Sequence, residues 1–224
     1  MRRLAALLIL VAGLAPVRGQ PPADPVAPIL EAIRRDFPID HQAIAASLAG
    51  KTPEDARRLA YEGIDRFVRG RRNSILAAPG ASLAAIEARQ GAMLRALGRQ
   101  DVRLCAAVGD RGFFSREALA GAAPPGLAEY GVALVEAAKA GFRAPAAAAT
   151  AKEDFQAWLA AVARVEPEVP VVAMLSDRAR RAAASPDHLC RGAAAMHEAV
   201  AALPAGPRER VARTLLGSVI AAAP

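Results

Sequence analysis

The side chains with chemical capacity in this 224-residue sequence are two cysteines, three histidines, one acid set among leucines and two groups of arginines. Cys105 and Cys190 are an even pair, which in an exported chain predicts one disulfide. They are far apart and neither belongs to a CxxC pair, so they do not supply the closely spaced ligands of a structural zinc site. His188 and His197 lie nine residues apart, not the four that bring two imidazoles onto one helix face, and with His41 they form no HExxH or CxxCH motif. Neither a zinc hydrolase nor a c-type haem protein is expected. Ser185, Asp187 and His188 are the residue types of a hydrolytic triad, but neighbours at a helix start do not converge as a triad must. Ser185 reads instead as a helix cap, and no GxSxG elbow is present. Ala49-Gly50-Lys51-Thr52 matches the end of a phosphate-binding GxxxxGK[ST] loop, yet Ala45 stands where the first glycine is required and the preceding residues read as helix.

Asp101 admits two readings. It falls on the stripe of Leu94, Leu97, Leu104 and Val108, one turn before Cys105. A carboxylate buried there needs a partner, Arg103 or a distant arginine, and would be a candidate functional acid. Alternatively, Gly98 ends one helix and Asp101 caps the next. Arg57, Arg58, Arg66, Arg69, Arg71 and Arg72 gather towards the end of one helical segment, and Arg178, Arg180 and Arg181 form a second group ahead of Cys190. Guanidinium groups hold lipid headgroups, cell-envelope polymers or small dianions. Glu54, Asp55, Glu62 and Asp65 dilute the first group, so a solvated charged face is the competing reading. Arg57, Arg66 and Arg69 are candidate anion-binding residues. Their convergence with Asp101 in an enclosed pocket would point to a small enzyme acting on an anion; their exposure to solvent would point to a binding protein.

The elements that must position these residues are helices. Thr52 caps and Pro53 opens a segment whose Ala56, Leu59, Ala60, Ile64, Phe67 and Val68 form one stripe. Val26 to Arg35 and Asp40 to Leu48 precede it as shorter helices. Leu83, Ile86, Met93, Leu94 and Leu97 mark a further helix; Ser115 reads as a cap with Phe114 and Leu119 as a hydrophobic staple; Pro125 opens a helix through Ala138. Thr150 and Glu153 read as a capping box before a stripe of Phe155, Trp158, Leu159 and Val162. Ser185 starts a helix with Leu189, Ala193, Met196, Val200 and Leu203 on its core face, and Gly206-Pro207 divides it from a last one. No stretch alternates with period two. The expectation is a single all-α, bundle-like domain over residues 26–224, of about seven or eight helices with one disulfide.

The N-terminus predicts the compartment. Met1-Arg2-Arg3, an apolar run from Leu4 to Val17 and the small Gly19 form the pattern of a cleavable signal peptide over residues 1–19, followed by a proline-rich leader at 20–25. A periplasmic or secreted protein is expected, with no transmembrane segment after cleavage. Loss of Arg2, Arg3 and Arg18 lowers the formal charge from +7 to +4, and aromatic residues are 4% of the chain. Nucleic acid is therefore not an expected partner; another envelope protein or an anionic ligand is. No cofactor and no metal is expected. Signatures of exported helical families, such as LTxxQ, are absent. The leading expectation is a non-catalytic binding or envelope-associated factor, and the alternative is the small arginine-dependent enzyme.

Overall fold

A computed structural model of the chain describes residues 24–114, 123–144 and 149–222. The expected signal peptide and the Ser115–Leu119 cap and staple lie outside the described residues. Those described are all-α: α1 (Ala27–Asp36), α2 (Pro38–Leu48), α3 (Pro53–Gly70), α4 (Arg72–Ala77), α5 (Gly80–Gln100), α6 (Val102–Arg111), α7 (Leu127–Ala140), α8 (Lys152–Val165), α9 (Val171–Ser176), α10 (Arg178–Ala183), α11 (Pro186–Glu198), a 3₁₀ turn (Ala199–Ala202) and α12 (Ala205–Ala222). The twelve helices exceed the expected seven or eight partly because α4, α9 and α10 have six residues each. Fewer than two turns display little periodicity.

Local chemistry sets many boundaries. Thr52 accepts the Asp55 N–H at 3.2 Å, with Pro53 in the first turn of α3. Asp177 caps α10 through the N–H groups of Ala179 and Arg180, and Ser185 caps α11 through that of His188. Gly126, at φ +87°, enters α7 in the left-handed region that glycine adopts freely. Gly206 and Pro207 belong to the first turn of α12; the chain divides earlier, at Leu203 and Pro204.

α5 is the central strut, in contact with α6, α7, α11 and α12, while α1 and α4 pack on α7 and α2 packs on α1 and α3. Its inward stripe of Leu83, Ile86, Leu94 and Leu97 is buried. Tyr61, Phe113, Phe114 and Tyr130 form an aromatic cluster with centroid separations of 5.3 to 6.3 Å. No described helix is long and apolar enough to cross a membrane.

The capping box at α8 is displaced by one residue from its expected place. The Ala151 N–H donates to Asp154 Oδ2 at 2.9 Å, and Asp154 turns inward to receive Arg210 at 2.7 and 2.9 Å. Thr150 stands outside the helix, its hydroxyl on the Arg210 carbonyl oxygen and Thr214. The buried stripe is therefore Asp154, Trp158, Ala161 and Val162, and Phe155, expected inside, is 43% exposed against the edge of Trp158.

Candidate binding groove

The expected bridge joins Cys105 of α6 to Cys190 of α11, with Cα atoms 5.3 Å apart and both residues buried. α5 runs unbroken through Gly98 and ends at Gln100, so the break falls at Asp101. Gly98 serves the bridge instead. A Cβ at that position would lie 2.6 Å from Cys190 Sγ, so only glycine lets α5 pass this close to the disulfide.

Asp101 is exposed and caps α6, accepting the N–H groups of Arg103 and Leu104 at 3.0 and 2.9 Å. Arg57 and Arg66 are exposed on α3, and Arg69 binds Asp65 at 2.7 Å. Among the described residues no hydrogen bond or ion pair joins any of the three to Asp101. Arg71 reaches Asp40 at 2.6 Å and lies over the Phe37 ring. Arg58 binds Asp55 and Glu62. Arg58, Arg69 and Arg71 of this first group are thus held in ion pairs, and Arg72 donates to the Gly217 carbonyl oxygen of α12 at 3.4 Å.

Two other sets hold more chemistry. The first is buried between α5 and α11, where His197 Nδ1 and Glu87 Oε2 are 2.6 Å apart and the residues are 3% and 0% exposed. Beside them the Tyr130 hydroxyl donates to Gln90 Oε1 at 3.4 Å. Burial, reinforced by the nearby Glu87 carboxylate, pushes the Tyr130 hydroxyl far above the usual phenol range. Glu87 and Gln90 are missed by motif reasoning because no motif contains them, and His197 is weighed there only as a metal ligand. A signal existed, since Glu87 and Gln90 share the stripe of Leu83, Leu94 and Leu97, and His197 follows Ala193 by one turn.

The second set surrounds a groove of about 800 Å³ between α6, α9, α10 and α11. Its floor is Ala106 and Gly109 of α6, Met174 of α9, and Gly192, Ala193 and Met196 of α11. Gly109 lets α6 close onto Ala193 of α11, and Gly192 lets Met174 of α9 approach; the α6 and α11 walls are the helices that the disulfide joins, with Ala106 and Leu189 each next to a bridged cysteine. At its rim Arg181 of α10 pairs with Asp110 of α6, bridging the opening, and Arg178 stands exposed with no ion pair of its own among the described residues. Arg178 and Arg181 of the second group therefore face this groove, while Arg58 and Arg71 of the first group line smaller pockets in which each is already ion-paired.

No protein-family model, curated protein or solved structure matches the chain.

Trp158, the sole tryptophan, donates its indole N–H to the Met196 carbonyl oxygen at 2.9 Å, which ties a natural fluorophore to the groove floor. Outside the groove lining, Glu166 receives Arg191 of α11 at 2.5 Å and Arg95 of α5 at 3.0 Å. The hydrogen bond from Arg191, foremost, holds the Glu166 carboxyl below its ordinary range, against the opposing effect of desolvation. The described residues contain no group of three or more His, Cys, Asp or Glu placed to hold a metal ion.

Proposed function

We propose that this is an exported, non-catalytic binding protein whose binding surface is the groove between α6, α9, α10 and α11. The observation that carries the reading is the groove itself: its volume falls in the range of small-molecule sites, its floor is apolar, and its few polar groups sit at the rim. Its lining offers no nucleophile beside a base. The candidate acid Asp101 is engaged as a helix cap and the α3 arginines do not meet it, which favours binding over the alternative of an arginine-dependent enzyme. Export is supported by the N-terminal pattern in the sequence and by a disulfide suited to an oxidising compartment.

The test has two parts. The intact mass of protein taken from its host's envelope fraction is expected to begin at Gln20 and to be lighter by two hydrogens than the reduced chain; a full-length mass removes the export reading. Purified protein is expected to enhance the fluorescence of N-phenyl-1-naphthylamine, and Ala106→Phe to abolish the enhancement while melting at the same temperature. Equal enhancement by Ala106→Phe places binding elsewhere.

A further inference from the structure

We infer that the groove takes a single-chain amphiphile: an unbranched acyl chain along the floor with a monoanionic carboxylate head at the Arg178 end. The inference rests on the groove reading above and adds the chemistry of the occupant.

Charge at the rim sets the head group. Three ionised groups line the opening, Arg178, Arg181 and Asp110. Arg181 is already paired to Asp110, which leaves one uncompensated positive charge, on Arg178. A carboxylate neutralises that charge and can accept two guanidinium hydrogen bonds. A phosphate monoester dianion would leave a second negative charge close to Asp110. A neutral head would leave Arg178 uncompensated. The floor sets the tail. Met174 and Met196 are unbranched, polarisable side chains that adapt to a flexible chain, and the alanines that line the groove with them, Ala106, Ala107 and Ala182, add no bulk that would exclude a slender occupant. Leu175, 41% exposed, extends the apolar surface onto the lip, where a tail longer than the floor would continue.

The test is a titration of delipidated full chain with hexadecanoate, hexadecanol and hexadecyl phosphate, each below its critical micelle concentration, read by Trp158 emission and by melting temperature. Hexadecanoate is expected to bind roughly tenfold or more tightly than hexadecanol, since one charge-assisted pairing is lost with the head. Arg178→Ala is expected to erase that difference and Arg178→Glu to reverse it, both with unchanged melting temperature in the unliganded state. Ala106→Phe is expected to remove binding of both. Equal affinity of the acid and the alcohol for the unaltered protein overturns the head-group inference and leaves the groove reading standing. Tighter binding of hexadecyl phosphate than hexadecanoate overturns the monoanion assignment. Failure of all three lipids, with N-phenyl-1-naphthylamine still bound and still displaced by Ala106→Phe, overturns the acyl chain alone; failure of that probe as well overturns the groove reading with it.

Discussion

α11 has two faces that are finished in opposite ways. Towards α5 it is closed: Cys190, bridged to α6, packs against Gly98, His197 holds Glu87, and Ala194 is fully buried. Towards α9 and α10 it is more open: Met174 and Val171 rest on Gly192, while Leu189, Ala193 and Met196 line the groove. One helix thus carries both a disulfide-bridged, buried contact and a groove of about 800 Å³. The difference teaches where tolerance should lie. Substitutions on the closed face act on stability and those on the open face act on occupancy.

The strongest test of that division removes the bridge. Replacing Cys105 and Cys190 together by alanine frees a separation of 85 residues, for which the chain-entropy relation gives an upper estimate of about 4 to 5 kcal/mol. Urea unfolding of the double variant should show this as a lower midpoint. An unchanged midpoint would mean that packing alone closes the α5 face.

Next in size is His197→Leu, which leaves Glu87 in the interior without the partner it has at 2.6 Å. Leaving a buried polar group without its hydrogen-bond partner costs about 1 to 3 kcal/mol. Combining it with Glu87→Met should recover much of the loss, because two apolar groups of similar volume leave no unsatisfied polar atom. If the double variant is no better than the single one, the pair does not act as a unit and the closed face owes its stability to the surrounding apolar contacts.

The helices on both faces were legible in the sequence because they carry amphipathic stripes and side-chain caps: Thr52, Ser185 and the α5 stripe all stand where the spacing puts them. The disulfide was legible from the even cysteine count together with the expectation of export. The helix break at Asp101 was misplaced at Gly98, since a glycine reads as a breaker until the sulfur packed against it is known. Thr150 misled for a similar reason: Asp154 is drawn inward by Arg210, a residue of a distant helix, and this shifts the register of the buried stripe. The groove could not be read at all. Its lining comes from four helices, and Gly109 and Gly192 serve their close packing, against Ala193 and against Met174 and Val171, so neither small residue announces a cavity on its own. Sequence directed attention to Arg57, Arg66 and Arg69, where arginines are dense; the structure directs it to Arg178, where one arginine faces a space.

Gly98 sharpens the contrast at smaller cost. Alanine there would meet Cys190 Sγ at 2.6 Å, and overpacking of this kind costs about 1 to 3 kcal/mol. The sign should depend on the bridge. With Cys105 and Cys190 both alanine, the clash is relieved and the gain in helix propensity, up to about 1 kcal/mol, should emerge. Thermal melts of the four combinations measure the coupling; strictly additive effects would break the link between Gly98 and the disulfide.

The boundary between the faces should respond to acid. Glu166 has its folded pKa held down by Arg191 and then by Arg95, so its contribution is present above the ordinary glutamate range, about 4.3, and is lost as pH falls through the depressed folded value. Glu166→Gln should lower stability at pH 7 and flatten the decline below about pH 4.5. A variant with the same acid limb as the unaltered protein would assign that limb to other depressed carboxyls, Asp154 with its Arg210 contact or Asp36 between Arg35 and Lys139.

The smallest effect belongs to the open face. Arg178 is exposed and makes no ion pair among the described residues, so Arg178→Ala should change unfolding free energy by less than about 0.5 kcal/mol. Arg181→Ala is the informative neighbour. Its pairing with Asp110 spans the groove mouth from α10 to α6, and a solvent-exposed pair contributes at most about 1 kcal/mol. Its loss should leave the melting temperature nearly unchanged but raise hydrogen exchange in α10, whose residues include no buried side chain. A large fall in stability from Arg181→Ala would mean that α10 is part of the closed structure and that the two faces of α11 are not independent.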